Sequence, residues 1–404
     1  MKKRILATVL SLMLALMLAA CGGNSSSASA ASSAQKSEAA SAASKEASEP
    51  APAESASASS AEASEPAAAE ESSAAASSAA SSSAEASEPA AAEAVEPYEF
   101  NISYGGTPSS SMVAVMTKLQ DILSEESGGA FTFNVYNDNS YKESQALDEM
   151  MNDIVDIVYL ASGATSGTVT EVAYLGMPGC FRYTDKPEEF KDFEASVSDI
   201  MTDIYDQYNI HYLGLRVPAR MAIVGTGNVV TAPEDLEGKV VRVSGTWLGR
   251  LAVAMNIATA NVGLSELATA LQRKTVDSCF TGIEQVYSQM LGEVVDYASI
   301  LPETDGIGSL VMDNDCWNKL SDAQKACVER SVEKWMDACL EVSNEFYDTA
   351  VKHLEENNVE IHEFTDEECD AFLYAVPSVY EEIDAQTSDL GIQLKDAILA
   401  WRAN

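Results

Sequence analysis

The sequence predicts an α/β protein of two lobes. Three observations carry this. Between Glu99 and Leu160 apolar stretches of strand and helix period alternate in the order β-α-β-α-β, which suits a mostly parallel or mixed sheet with helices on its faces. The chain from Tyr98 to Asn404 is longer than one hydrophobic core usually supports. Late in the chain, Ser321 to Asn357 holds one long helical stripe, which reads as core or interlobe packing.

The elements follow in order. Glu99–Tyr104 alternates as a strand. Ser109–Glu126 places Met112, Val115, Met116, Leu119, Ile122 and Leu123 on one helical face and ends at Gly128-Gly129. Phe131–Tyr136 is a second alternating strand, Ser144–Asn152 a helix and Ile154–Leu160 an apolar strand. Ligands of parallel sheets bind beyond strand carboxyl ends, so Ser162, Thr165 and Ser166 in the following loop are pocket candidates. A solvated loop is the other reading of those residues.

From His211 the chain reads as strands again, with a hinge expected between Leu215 and Arg220. Thr231 can cap a helical turn begun by Pro233 and closed by Gly238. Val240, Val241 and Val243 make a short buried strand that carries Arg242. Helices are expected over Trp247–Met255, over Ser265–Gln272 with Ser265 as cap, and over Gly282–Leu291. Strands are expected over Thr275–Phe280 and Val294–Ile300. Ser321 and Gln324 form a capping box ahead of the long helix. Helices from Thr365–Leu373 and over most of Val376–Trp401 complete the chain.

The first 97 residues are of another kind. Lys2, Lys3 and Arg4 precede a short apolar run and Leu18-Ala19-Ala20-Cys21. This reads as a lipoprotein signal peptide over 1–20, with Cys21 lipidated. A plain cleaved secretion signal is the alternative. Residues 24–97 are almost wholly Ala, Ser, Glu and Pro, with SAEASEPAAAE at both 60–70 and 83–93. Such a segment cannot bury enough apolar surface to fold. As a coil it averages roughly 50 Å end to end, which suits either a tether from a lipid surface or an untuned spacer. Residues 21–97 are therefore assigned to the lipidated cysteine and a disordered linker.

The formal net charge is −39. That excludes nucleic acid as a natural partner and requires a focused local site for any anion. Arginine is scarce in the folded part, so Arg220 and Arg242 in apolar strands stand out. A buried guanidinium is costly unless an anion meets it, and its planar fork suits a carboxylate. The cysteines Cys180, Cys279, Cys316, Cys327, Cys339 and Cys369 match no metal spacing, and His211, His353 and His362 are scattered. No metal, cofactor or nucleotide motif is present, so no cofactor is expected. The cysteines could be oxidised or serve as small apolar residues.

The blocks PEDLEGKVVRVSG (233–245) and LQRKTVDSCFTG (271–282) resemble the solute-binding proteins of TRAP (tripartite ATP-independent periplasmic) transporters, of the DctP type. The resemblance implies a periplasmic-binding-protein-like, Venus-flytrap fold, with lobe I over 98–217 and about 307–345, and lobe II over 218–306 with part of 346–404. It also implies that Arg242 clamps the carboxylate of a transported solute. Arg220, on the preceding strand, would supply a second donor, with Arg216 the competitor. Thr281 stands where many relatives have the Asn that helps hold the carboxylate, Leu264 where they often have an aromatic, and Asn261 where they have a Pro. Both glycines of the family's Leu-Gln-x-Gly-x-Val-Asp-Gly pattern are replaced, by Lys274 and Ser278.

The expected function is therefore a non-enzymatic, lipid-anchored receptor on the outer face of the bacterial cell membrane. It would bind a small organic acid and deliver it to the TRAP permease subunits. An exported hydrolase on the same scaffold, or the sensing component of a signalling system, are the alternatives.

Overall fold

The computed structural model describes residues 94–137, 143–183, 186–304, 306–373 and 377–403. The expected signal peptide, Cys21 and nearly all of the linker lie outside these. Among the described residues no helix is long and apolar enough to cross a membrane.

Eleven strands form two sheets among the described residues. They are β1 (Tyr98–Ser103), β2 (Phe131–Tyr136), β3 (Ile157–Ala161), β4 (Ile210–Arg216), β5 (Arg220–Gly225), β6 (Val240–Arg242), β7 (Ala258–Ala260), β8 (Ser278–Gly282), β9 (Tyr297–Thr304), β10 (Gly308–Asp313) and β11 (Glu360–Glu363). The first sheet runs β2-β1-β3-β10-β4, the second β11-β9-β5-β8-β6-β7. Strands β1, β2 and β3 are parallel as the sequence order demands, but β10 enters antiparallel between β3 and β4. In the second sheet β5 is antiparallel to β8 and β9, whereas β6, β7 and β8 are parallel. Both sheets are therefore mixed, and the fold is the two-lobed α/β architecture.

The helices used below are α1 (Ser111–Glu126), α2 (Glu143–Met151), α3 (Pro187–Asp206), α4 (Thr246–Ala254), α5 (Leu267–Gln272), α6 (Ile283–Ser288), α7 (Asp322–Glu356), α8 (Asp366–Leu373), α9 (Pro377–Gln386) and α10 (Asp389–Arg402). Helix α7 is 35 residues long, about 53 Å at 1.5 Å per residue. It packs on α1 and β4 of the first lobe and on α6 and β11 of the second. Trp335 sits fully buried on α7, and its indole N–H donates to the Val115 carbonyl of α1 at 2.9 Å. Gly214 of β4 allows the close approach, since a Cβ there would lie 2.9 Å from Val332.

Helix α7 begins with the expected capping box. Gln324 N–H donates to Ser321 Oγ, and Ser321 N–H donates to Gln324 Oε1 at 2.8 Å. Ser321→Ala should lower stability by about 1 kcal/mol, measurable as a lower urea midpoint with an unchanged slope.

Several boundaries differ from the sequence reading for local reasons. The strand expected from Thr275 begins at Ser278, because Lys274 takes a positive φ of 55° and Asp277 turns its carboxylate onto Val240 N–H. The strand expected from Ile154 begins at Ile157, after Asp153 at φ 58°. Ser265 does not cap α5; Leu264–Glu266 forms a 3-10 turn ahead of it. Thr231 does not cap the Pro233 turn through its side chain either. Asp235 instead accepts from Thr231 N–H, Thr231 Oγ1–H and Ala232 N–H. Those bonds, the Thr231 backbone bond first, hold its carboxyl below the usual range.

The core is continuous through the first sheet and its helices, with a smaller cluster on the second sheet around Leu267, Leu271, Val286 and Leu354. Cys180, Cys279, Cys316, Cys327, Cys339 and Cys369 are all buried, and none is in a disulfide among the described residues. Burial pushes the thiols of Cys180, Cys316 and Cys369 up to about 12.

Candidate functional site

A cavity of about 220 Å³ lies where the two lobes meet. Its wall includes Tyr159 of β3, Ser162 just beyond β3, Arg216 at the end of β4, Ser244 beyond β6, and Glu284 and Gln285 of α6. These positions follow from topology. Strand ends of both sheets converge there, and the turns after β3 and β6 each carry a glycine that lets backbone approach backbone. Gly245 has φ +83°, and a Cβ on it would stand 2.9 Å from the Gly163 carbonyl oxygen across the cleft. The lobes therefore touch at Gly163 and Gly245 beside the cavity.

Arg216 and Glu284 form a buried ion pair at 2.7 Å, with side chains 4% and 3% exposed. Glu284 is fully engaged. It accepts from Arg216 Nη2, Ser111 Oγ, the Ala219 N–H at 2.8 Å and Ser343 Oγ at 3.0 Å. Burial alone would raise its pKa, but the Arg216 charge and these donors outweigh that and hold its carboxyl below the usual range. Arg216 is buried too, and the Glu284 charge nevertheless raises its pKa. Its guanidinium carbon lies 5.8 Å from the Tyr159 ring centroid. Two buried polar atoms in this wall have no protein partner: Arg216 Nε and Ser162 Oγ. Both atoms are donors, and both are sealed from the cavity as the side chains stand.

The residues singled out from sequence are distributed as follows. Ser162 lines the cavity. Thr165 is buried, and its hydroxyl donates to the Ala161 carbonyl at 3.0 Å. Arg242 is 8% exposed on β6, two residues before Ser244 of the wall. Its Nε donates to the Val262 carbonyl at 3.1 Å and its Nη1 to the Phe280 carbonyl at 3.4 Å. Among the described residues no acidic side chain pairs with it. Thr281 is buried in β8 beside Phe280. Asn261 is exposed and Leu264 half-buried, both between β7 and α5.

Arg220 lies elsewhere. It pairs with Glu363 at 3.5 Å and sits against the rings of Tyr347 and Tyr183. It lines a separate cavity of about 1200 Å³ with Arg182, Lys186 and Trp401. Of the two competing arginines, Arg216 is the one in the interlobe wall. The sequence reading missed Glu284, Ser111 and Ser343. Glu284 had a signal: an acidic residue in the first turn of a helix that starts directly after an apolar strand.

Residues 102–387 match the family model DctP, bacterial extracellular solute-binding protein, family 7. The chain belongs to this family. Its members are extracytoplasmic solute-binding proteins of TRAP transporters. The chain is 27% identical over 211 residues to the uncharacterized protein y4mM of Sinorhizobium fredii, covering 49% of this chain and 37% of that one. It thus spans little more than a third of that relative's length. A TRAP periplasmic solute-binding protein from Ochrobactrum anthropi superposes with a TM-score of 0.69 at 18% identity, over 76% of this chain and 97% of that one. A second, from Sulfitobacter sp. NAS-14.1 with bound β-D-galacturonate, gives 0.66 at 17% identity, over 76% and 100%. At these identities the structural likeness speaks to the fold. Across the family the task is solute binding for transport.

Proposed function

We propose that this TRAP solute-binding protein takes a small organic acid by its carboxylate between the two lobes and passes it to the permease subunits in the membrane. Lipid on Cys21 and the linker after it would hold the receptor at the outer face of that membrane. The observation that carries the carboxylate is Arg242, a buried guanidinium that among the described residues meets only backbone carbonyls. A buried charge without a counter-ion is costly and favours an arriving anion. Arg216 and Ser162 line the cavity itself, and Arg242 lies two residues before Ser244 of its wall. Thr281, Asn261 and Leu264 lie on the elements flanking Arg242, and Thr165 supports the turn that carries Ser162. In this proposal they shape the site, and Arg220 braces the joint between lobes.

The mechanism follows from closure. With the lobes apart, water screens both guanidinium groups. With the lobes together, water leaves and charge-assisted bonds strengthen. The ligand favours the closed form only as far as it binds that form better.

Thermal unfolding against a panel of monocarboxylates, dicarboxylates and sugar acids tests the reading. A true ligand at a hundredfold excess over Kd should add about 2.7 kcal/mol, several degrees for a domain of this size. The bound compound should be recovered unchanged; turnover would reassign the cleft to an enzyme. Gly245→Ala should also weaken binding by about tenfold, because its Cβ meets the Gly163 carbonyl and holds the lobes apart. Small-angle scattering of that variant should show a larger radius of gyration that ligand does not reduce.

A further inference from the structure

Beyond Gly245 the lobes meet a second time, along α4. This helix follows β6 and packs on β7, so it moves with the second sheet. Facing it is α9, which is fastened to the other lobe. The Tyr174 hydroxyl lies between two acceptors of α9, the Tyr380 carbonyl at 3.0 Å and the Asp384 carboxylate. The Tyr380 hydroxyl donates to the Pro178 carbonyl at 3.4 Å. Tyr174 stands in the 3-10 turn Thr170–Gly176, which packs tightly on the turn after β3: a Cβ on Gly176 would lie 2.7 Å from the Gly163 nitrogen. Between α4 and α9 runs an ion pair, Arg250 to Glu382. From this we infer, resting on the lobe closure proposed above and not on the identity of the solute, that Arg250 and Glu382 form a reversible latch between the lobes.

Charge selects these two residues. Arg250 is the single charged residue of α4, whose sequence is TWLGRLAVA. Helix α9 carries Glu381, Glu382 and Asp384. Asp384 is taken by Lys395 at 2.7 Å and by Tyr174, and Glu381 lines a different groove, with Met177 and Leu399. Glu382 lines the seam itself, with Gly249, Arg250 and Val253 of α4. Each partner is steadied by its own helix. The Arg250 guanidinium carbon lies 4.6 Å from the ring centroid of Trp247, one turn earlier, and Glu382 accepts from Gln386 Nε2 at 3.2 Å, one turn later. Side chains steadied this way lose less freedom when they pair.

Exposure makes the pair reversible. The Arg250 and Glu382 side chains are 39% and 46% exposed, against 4% and 3% for Arg216 and Glu284. Breaking a buried pair from one side is costly. An exposed pair is rehydrated as it parts, so it adds little to overall stability. Between two lobe positions of similar free energy that little is enough, because it changes their ratio several-fold. Salt screens such a pair, so closure becomes sensitive to ionic strength at this seam.

Two spin labels read the lobe positions without any solute. They go on Lys118→Cys in α1 and Arg273→Cys at the end of α5, both exposed sites, in the full chain with Cys21→Ser; the native cysteines from Cys180 onward are buried. Pulsed dipolar spectroscopy gives the ratio of open to closed molecules. Glu382→Gln should raise that ratio about two- to fivefold, and Glu382→Arg, which sets two arginines against each other, about five- to tenfold. Adding Arg250→Glu to Glu382→Arg should bring it back to within about threefold of the parent. Raising the salt from about 0.05 M to about 0.5 M should open the parent and leave Glu382→Gln nearly unchanged. An unchanged ratio in Glu382→Arg, or a double variant as open as the single, would overturn the latch. Either result leaves the carboxylate reading standing, since the solute panel tests that separately.

Discussion

Replacing Glu284 with alanine should lower the thermal midpoint by on the order of 10 °C. The substitution leaves Arg216 charged, buried and unpaired, and breaking a buried pair from one side costs about 3–5 kcal/mol. It also strips Ser111, Ser343 and the Ala219 N–H of their common acceptor. At about 2–4 °C per kcal/mol for chains somewhat smaller than this one, the midpoint should move that far. A double variant, Glu284→Ala with Arg216→Met, should recover much of the loss, because no lone charge remains. A double variant as unstable as the single would mean that the lost hydroxyl and backbone bonds dominate. The pair also sets an acid limit. Glu284 is held below its ordinary value of 4.5 in the folded chain, so its contribution is complete above that value. It is lost as pH falls below 4.5 toward the depressed folded value. Urea midpoints should drop over that range, and less steeply in the double variant.

Arg242→Gln should weaken ligand binding by at least about thirtyfold, with little change in the ligand-free midpoint. Losing one partner of a buried charge-assisted contact costs about 2–5 kcal/mol, and 1.4 kcal/mol is a factor of ten. Glutamine can still donate to the Val262 or Phe280 carbonyl, so the folded protein keeps part of what Arg242 provides. Titration calorimetry with the tightest ligand of the carboxylate panel gives the comparison. Binding within about threefold of the parent would show that Arg242 only ties β6 to its neighbours, and would shift the anchoring role to Arg216.

How far the site could be read beforehand depends on the kind of signal. Periodicity gave the long helix and its Ser321–Gln324 cap, because both are local patterns. The mixed sheets depend on β10 returning antiparallel between β3 and β4, a pairing across more than ninety residues that leaves no local trace. Arg242 was conspicuous as the lone charge in a valine strand. Arg216 and Arg220 are four residues apart on consecutive strands with a hinge between them, so spacing could not say which one faces the cleft. The backbone settles their placement: β4 ends at Arg216 beside Glu284, and β5 opens at Arg220 beside Glu363. The Glu284 cluster joins residues from Ser111 to Ser343, which only the folded chain brings together.

The hinge bonds have a mechanical consequence. Val217, between β4 and β5, accepts a hydrogen bond from Ser343 midway along α7, and Pro218 beside it accepts one from Thr304 at the end of β9. Glu284 adds the start of α6 to the same knot. The strand passages and the helix are thus pinned at one point instead of running as independent tethers. Two bodies joined this way cannot slide apart; they can only turn about that point, as at a ball joint. In the proposed receptor role, a solute would enter at the edge away from the pin, and whatever receives it would meet the protein there.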